Sequence, residues 1–148
     1  MLRVWDSTFT KNRMSGIYND FAGTNVFTST FTGNGSSGIR NINLSVVTVD
    51  RSTFRGNVAE NGGAIYNERS DLHLRNSTLT QNKASYGGGL YNTSIVEVIN
   101  TTFADNTAKG NNIFNIHPAS QSSMEPTKLY LYNTILTNPN GVDRKSVV

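Results

Sequence analysis

Few side chains in this 148-residue sequence are of a kind that does chemistry, and those few fall at repeating distances. Asp50 and Arg75 stand 25 residues apart, and His73 and Glu97 stand 24 apart. Hydrolysis of a glycosidic bond needs two carboxylates facing one bond, about 5–10 Å apart. Elimination from an acidic sugar chain needs clustered acidic calcium ligands and a nearby base. No two carboxylates occupy neighbouring repeats of one column here. Opposite charges paired across strands account for both pairs. No catalytic residue is therefore assigned. Neither His73 nor His117 has a second histidine at ligand spacing, there is no cysteine, and no calcium nonapeptide is present. No metal ion or cofactor is expected.

A second set is aromatic. Tyr18, Arg40, Tyr66, Tyr91 and Phe114 each stand between an Ile or Leu and an Asn, as in Ala64-Ile65-Tyr66-Asn67. If the flanking residues point inward, these five point outward in one column. Such a column stabilises a sheet by stacking. It also offers a face for sugar rings or another protein, and these five are the candidate binding residues. A third set is Thr8-Phe9-Thr10, Thr30-Phe31-Thr32 and Thr78-Leu79-Thr80. A regular array of this kind resembles ice-binding surfaces. Arg55 and Ala104 interrupt it, and the β-propensity of Thr is the better explanation.

The elements that position these residues follow from the period. Phe9, Phe31, Phe54, Leu79 and Phe103 are each followed three residues later by Asn, with steps of 22, 23, 25 and 24 residues. A small-residue run ending in Ile or Leu follows in each repeat, as in Gly16-Ile17-Tyr18-Asn19 and Gly89-Leu90-Tyr91-Asn92. Alternating apolar pairs precede it: Leu2/Val4, Val47/Val49, Leu72/Leu74, Val96/Val98 and Leu129/Leu131. Three short stretches of period-2 character per repeat predict three short strands. No window shows an apolar face at helical spacing, and Gly, Asn and Ser punctuate every interval.

The expected fold is a right-handed parallel β-helix of about six turns, each of 22–25 residues. A leucine-rich repeat has a similar period. It wants an apolar residue two before the one that leads the Asn, where this chain always has Ser or Thr. Phe54 and Leu79 should touch inside. Asn12, Asn34, Asn57, Asn82 and Asn106 should form one ladder of amides, and Asn19, Asn41, Asn67, Asn92 and Asn115 a second. The outward residues of the first strand column would be Arg3, Asn25, Thr48, His73, Glu97 and Tyr130. Trp5, Phe27, Asp50, Arg75, Ile99 and Tyr132 would stand beside them.

Residues 1–142 form one β-helix unit, with a loop inserted at about 116–127 and Pro139 standing where a ladder Asn would fall. The repeat starts at once and no capping helix precedes it, so a piece of a longer protein is expected, with end-to-end self-association of its open rungs. Residues 143–148, Asp-Arg-Lys-Ser-Val-Val, fit no rung and resemble the translation of a sequencing adapter. The formal charge is +3 and the charges are scattered, so nucleic acid is not an expected partner. No apolar run approaches membrane length.

Phe54-x-x-Asn57, Gly62-Gly63-Ala64-Ile65 and the variant Gly87-Gly88-Gly89-Leu90 resemble the repeats of polymorphic outer-membrane proteins. The resemblance runs from residue 4 to about 115 and is clearest in turns three and four. It implies a bacterial protein at the outer-membrane surface or outside the cell, an autotransported stalk with adhesive capacity. Its partners would be carbohydrate or a protein of a host or cell surface. The alternative is a fragment of a carbohydrate-active β-helix, a polysaccharide lyase or glycoside hydrolase without its complete site.

Overall fold

The computed structural model describes residues 1–109, 112–117 and 126–137. Residues 118–125 of the expected loop, Pro139 and the 143–148 tail lie outside them. Among the described residues every element is a strand, and no helix is long and apolar enough to cross a membrane. The strands wind into a parallel β-helix with three main sheets. The first holds Leu2–Trp5, Gly23–Phe27, Val46–Asp50, Asp71–Arg75, Ile95–Ile99 and Lys128–Tyr132. The second holds Thr8–Thr10, Thr30–Thr32, Thr53–Arg55, Thr78–Thr80, Thr102–Ala104 and Ile135–Thr137. The third holds Ile17–Asp20, Ile39–Ile42, Ile65–Glu68, Leu90–Asn92 and Ile113–Asn115. That makes five complete turns and a sixth represented by two strands.

The register is the one the columns demand. Phe9, Phe31, Phe54, Leu79, Phe103 and Leu136 are successive partners, so Phe54 and Leu79 are adjacent in the core. The Phe9–Phe31 and Phe31–Phe54 rings stack at 4.8 and 4.6 Å, both within 4° of parallel. Those separations match the ~4.8 Å rise between rungs, so the backbone ladder itself sets the ring spacing. Val26, Val47, Val49, Leu72, Leu74, Val96 and Val98 from the first sheet and Ile39, Ile65 and Leu90 from the third close the same core with no exposed surface.

Polar columns close the corners. Nδ2 of Asn34, Asn57 and Asn82 donates to Oδ1 of the next ladder Asn at 2.8–2.9 Å and also to the carbonyl of a core residue one rung back. Asn19, Asn41, Asn67 and Asn92 form the second ladder, ending on Asn115. A hydroxyl column runs beside the first sheet. The amides of Ser7, Ser29 and Ser52 donate to the hydroxyls of Ser29, Ser52 and Ser77 at 3.1–3.2 Å. Each of those hydroxyls donates to the carbonyl two residues earlier. That explains why the sequence keeps Ser or Thr there.

The residue before each of these Ser or Thr makes the corner. Asp6, Thr28, Arg51, Asn76, Asn100 and Asn133 all have φ between 46° and 50°. The left-handed region costs a non-glycine residue about 1 kcal/mol or more, and the ladders on either side hold it there.

Three strands per turn holds for most rungs. Turns four and five carry a fourth, Lys83–Tyr86 paired with Thr107–Lys109. Single bridges Val58–Lys83 and Asn61–Tyr86 extend this seam to the turn before. These are the longer repeats, and the extra residues form this seam. Gly62 and Gly87 take φ of 61° and 58° there. A Cβ on Gly63 would sit 2.4 Å from the Gly88 carbonyl oxygen, so the paired glycines let the seam close.

Candidate functional site

The third sheet brings the five aromatic-column residues together. Tyr18, Arg40, Tyr66, Tyr91 and Phe114 are successive register partners. Their neighbours Ile39, Ile65 and Leu90 and the ladder Asn residues face inward. The Arg40 guanidinium lies 4.4 Å from the Tyr66 ring centroid. Tyr66 stacks on Tyr91 at 5.1 Å, and Tyr91 on Phe114 at 5.7 Å. Tyr86, from the extra strand, meets Phe114 at 5.1 Å, and the Lys109 ammonium lies 5.5 Å from the Tyr86 ring.

The column is not uniformly open. Tyr66 is 8% exposed, covered by its stacking partners, and its hydroxyl donates to Glu68 at 2.9 Å. Burial first, and then this bond to a carboxylate, push its ionisation well above the ordinary tyrosine range. Tyr91 is shifted upward too, chiefly by burial. Tyr18 is 60% exposed. A cleft of about 510 Å³ lies beside it, lined by Met14, Ser15, Tyr18, Ser36 and Arg40. A second cleft of about 380 Å³ lies at the other end, lined by Asn61, Tyr86, Tyr91, Lys109, Phe114 and Ile116. The middle of the column is thus self-satisfied, and its two ends are open. Tyr86 and Lys109 had no place in the sequence column, because they sit on the strand the period does not announce.

The first sheet carries the charged set in the expected register: Arg3, Asn25, Thr48, His73, Glu97 and Tyr130 in one row, with Trp5, Phe27, Asp50, Arg75, Ile99 and Tyr132 beside it. The pairing differs in one respect. Arg75 donates to Glu97 at 2.8 Å, diagonally across the strands, and not to Asp50. Asp50 accepts from Asn76 at 2.7 Å and lies 3.5 Å from Arg51. His73 Nδ1 has no hydrogen-bond partner, and the same Glu97 oxygen stands 3.5 Å away. The Arg75 bond holds the Glu97 carboxyl below the usual glutamate range against a smaller desolvation effect. Arg75 and His73 both converge on one carboxylate, which leaves no second carboxylate across a bond. Among the described residues no group of three or more His, Asp and Glu side chains is placed to hold a metal. On the same face Trp5 stacks on Phe27 at 4.3 Å and is 55% exposed, an aromatic platform at the first two rungs of the second row.

The second sheet presents the threonine rows, broken as expected where Arg55 and Ala104 replace Thr in register. Arg55 reaches along the rungs to Gln81 at 3.0 Å, so the surface there is not a flat hydroxyl lattice.

These observations define a parallel β-helix with aromatic and charged residues arrayed on its outer faces. The chain belongs to the family described as right handed beta helix region, whose profile matches residues 2–142. The coil is accordingly right-handed. No curated protein and no solved structure matches the chain.

Proposed function

We propose that this chain is a non-enzymatic scaffold that presents a binding face, and that it works in adhesion at the outer surface of a bacterium or outside the cell. The observation that carries this reading is the third sheet's outer column. Exposed strand positions are served as well by Thr or Val as by aromatics. Aromatics recur here on every rung except the one that has Arg40, which itself lies on a ring. They end in two open clefts. Rings of this kind offer apolar area with little side-chain entropy to lose on binding. The repeats Phe54-x-x-Asn57 and Gly62-Gly63-Ala64-Ile65 support a surface protein of the polymorphic outer-membrane kind. End-to-end self-association belongs to the same proposal.

The test separates binding from stacking. Tyr18→Ser with Tyr91→Ser should abolish retention on a glycan array or on cell surfaces and cost modest stability. Tyr66→Ser should lower the melting temperature most, because its ring is buried and its hydroxyl bonds Glu68. Unchanged retention in the first variant would make the column structural only.

A carbohydrate-active reading is favoured by one observation, the His73–Glu97–Arg75 cluster on the face that also carries the Trp5–Phe27 platform. Release of reducing ends or unsaturated uronides, abolished by Glu97→Gln, would establish it in place of the scaffold.

A further inference from the structure

We infer that the third sheet's outer face takes a glycan bearing carboxylates, with Arg40 and Lys109 receiving them at opposite ends of the aromatic column. This rests on reading that column as a binding face and adds the ligand's chemistry to it. Arg40 contacts Tyr66 through a cation–ring interaction, and among the described residues no carboxylate or other acceptor engages its N–H groups. A guanidinium over a ring keeps its donors at the edge, and that fork matches a carboxylate. The adjacent carboxylate, Glu68, is occupied by the Tyr66 hydroxyl. Lys109 repeats the arrangement at the other end, over Tyr86 and with no acidic partner among the described residues. Each cation lines its own cleft beside an accessible ring, Tyr18 in one and Tyr86 with Phe114 in the other. Ser15 and Ser36 in the first and Asn61 in the second add neutral polar groups.

Arg40 stands on the second rung and Phe114 on the fifth, three rungs or ~14 Å apart along the axis. An extended chain laid along that axis therefore meets a ring and a cation at both ends. A sugar chain suits this better than a polypeptide. The middle strands of this sheet have neighbours on both sides, so their backbone groups are committed to the ladder and a peptide cannot pair with them as an added strand. What remains is the rings that line the two clefts, hydroxyls and two cations, the elements that recognise acidic sugars.

Calorimetric titration of the full chain with oligogalacturonate, its carboxyl-reduced counterpart and poly-glutamate tests this. Oligogalacturonate should bind, more weakly as salt rises, and the neutral counterpart should not. Arg40→Gln should weaken binding about tenfold or more, the loss expected for one charge-assisted hydrogen bond. Arg40→Lys should fall between, and an unchanged melting temperature would show that both variants are folded. Equal affinity for the neutral chain, or no effect of Arg40→Gln, overturns the carboxylate assignment. The binding face itself then survives if Tyr18→Ser abolishes the affinity. Preference for poly-glutamate overturns the glycan, and no binding of any of the three overturns both readings.

Discussion

Asn82 shows what a single ladder residue does. It has no exposed surface, its Nδ2 donates to Asn106 Oδ1 and the Phe54 carbonyl, and its Oδ1 accepts from the Asn57 side chain and backbone. Asn82→Ala removes four bonds at once and leaves buried partners where water cannot reach. Each orphaned group costs about 1–3 kcal/mol, so a loss of at least ~2 kcal/mol is expected by urea unfolding. An exposed ladder runs along another corner, from Asn133 through Asn100 and Asn76 to Asp50. Asn100→Gly keeps the left-handed backbone and hands the partners to solvent, so it should change stability by no more than ~0.5 kcal/mol. Equal losses at the two sites would show that burial does not set the worth of these ladders.

At the scale of the rung, one pair of substitutions in the chain compensates. A Cβ on Gly16, Gly38 or Gly89 would meet the phenylalanine of the next rung, Phe31, Phe54 or Phe103, at 2.7–2.8 Å. Ala64 occupies the same place one rung below Leu79, the position where the aromatic column changes to a smaller side chain. The methyl and the missing ring therefore exchange volume. Leu79→Phe alone should overpack the core and cost about 1–3 kcal/mol. Adding Ala64→Gly should recover most of that, with a coupling of about 1 kcal/mol or more in a double-mutant cycle. Additive effects would show that the two do not share space.

This scale also explains what could be read in advance. The inward columns at Phe54, Leu79, Asn57 and Asn82 were legible because every rung makes the same demand on volume and hydrogen bonding. The extra strand at Lys83–Tyr86 was not, because it forms from residues added to the longer repeats and has partners in only some turns. The exposed ladder was hidden too, since its corner also accepts Asp6, Thr28 and Arg51, so Asn holds only half of its six positions. The choice of Glu97 by Arg75 depends on a long side chain crossing diagonally, where register alone made Asp50 an equal neighbour. Tyr66 faces outward by alternation, and its burial comes with the Tyr91 ring and the Arg40 guanidinium stacked on it, which strand periodicity cannot show.

For the whole molecule the consequence is that each rung contacts only its neighbours, so stability is close to a sum of rung and interface contributions. A complete turn should then be removable. Deleting residues 53–77, the 25 that carry one turn, joins Ser52 to Thr78. Val46–Asp50 would then stack on Ile95–Ile99, Thr30–Thr32 on Thr78–Thr80, and Ile39–Ile42 on Leu90–Asn92, each in the register that the lost rung occupied. Phe31 would meet Leu79, Asn34 would donate to Asn82, and Ser29 would donate to the Ser52 hydroxyl as before. The hydroxyl that Ser52 meets above would be that of Thr101 in place of Ser77. Every buried polar group keeps a partner of the same kind, so the shortened chain should retain a β-type circular dichroism spectrum and a cooperative thermal transition at a lower temperature. Deleting residues 53–64 removes half a turn, takes Phe54 and Asn57 without the third-sheet strand Ile65–Glu68, and brings the wrong faces together. That chain should not fold. If both deletions unfold the protein, the rungs are not independent and the solenoid acts as one cooperative unit. If both fold, register between columns is not what specifies the coil.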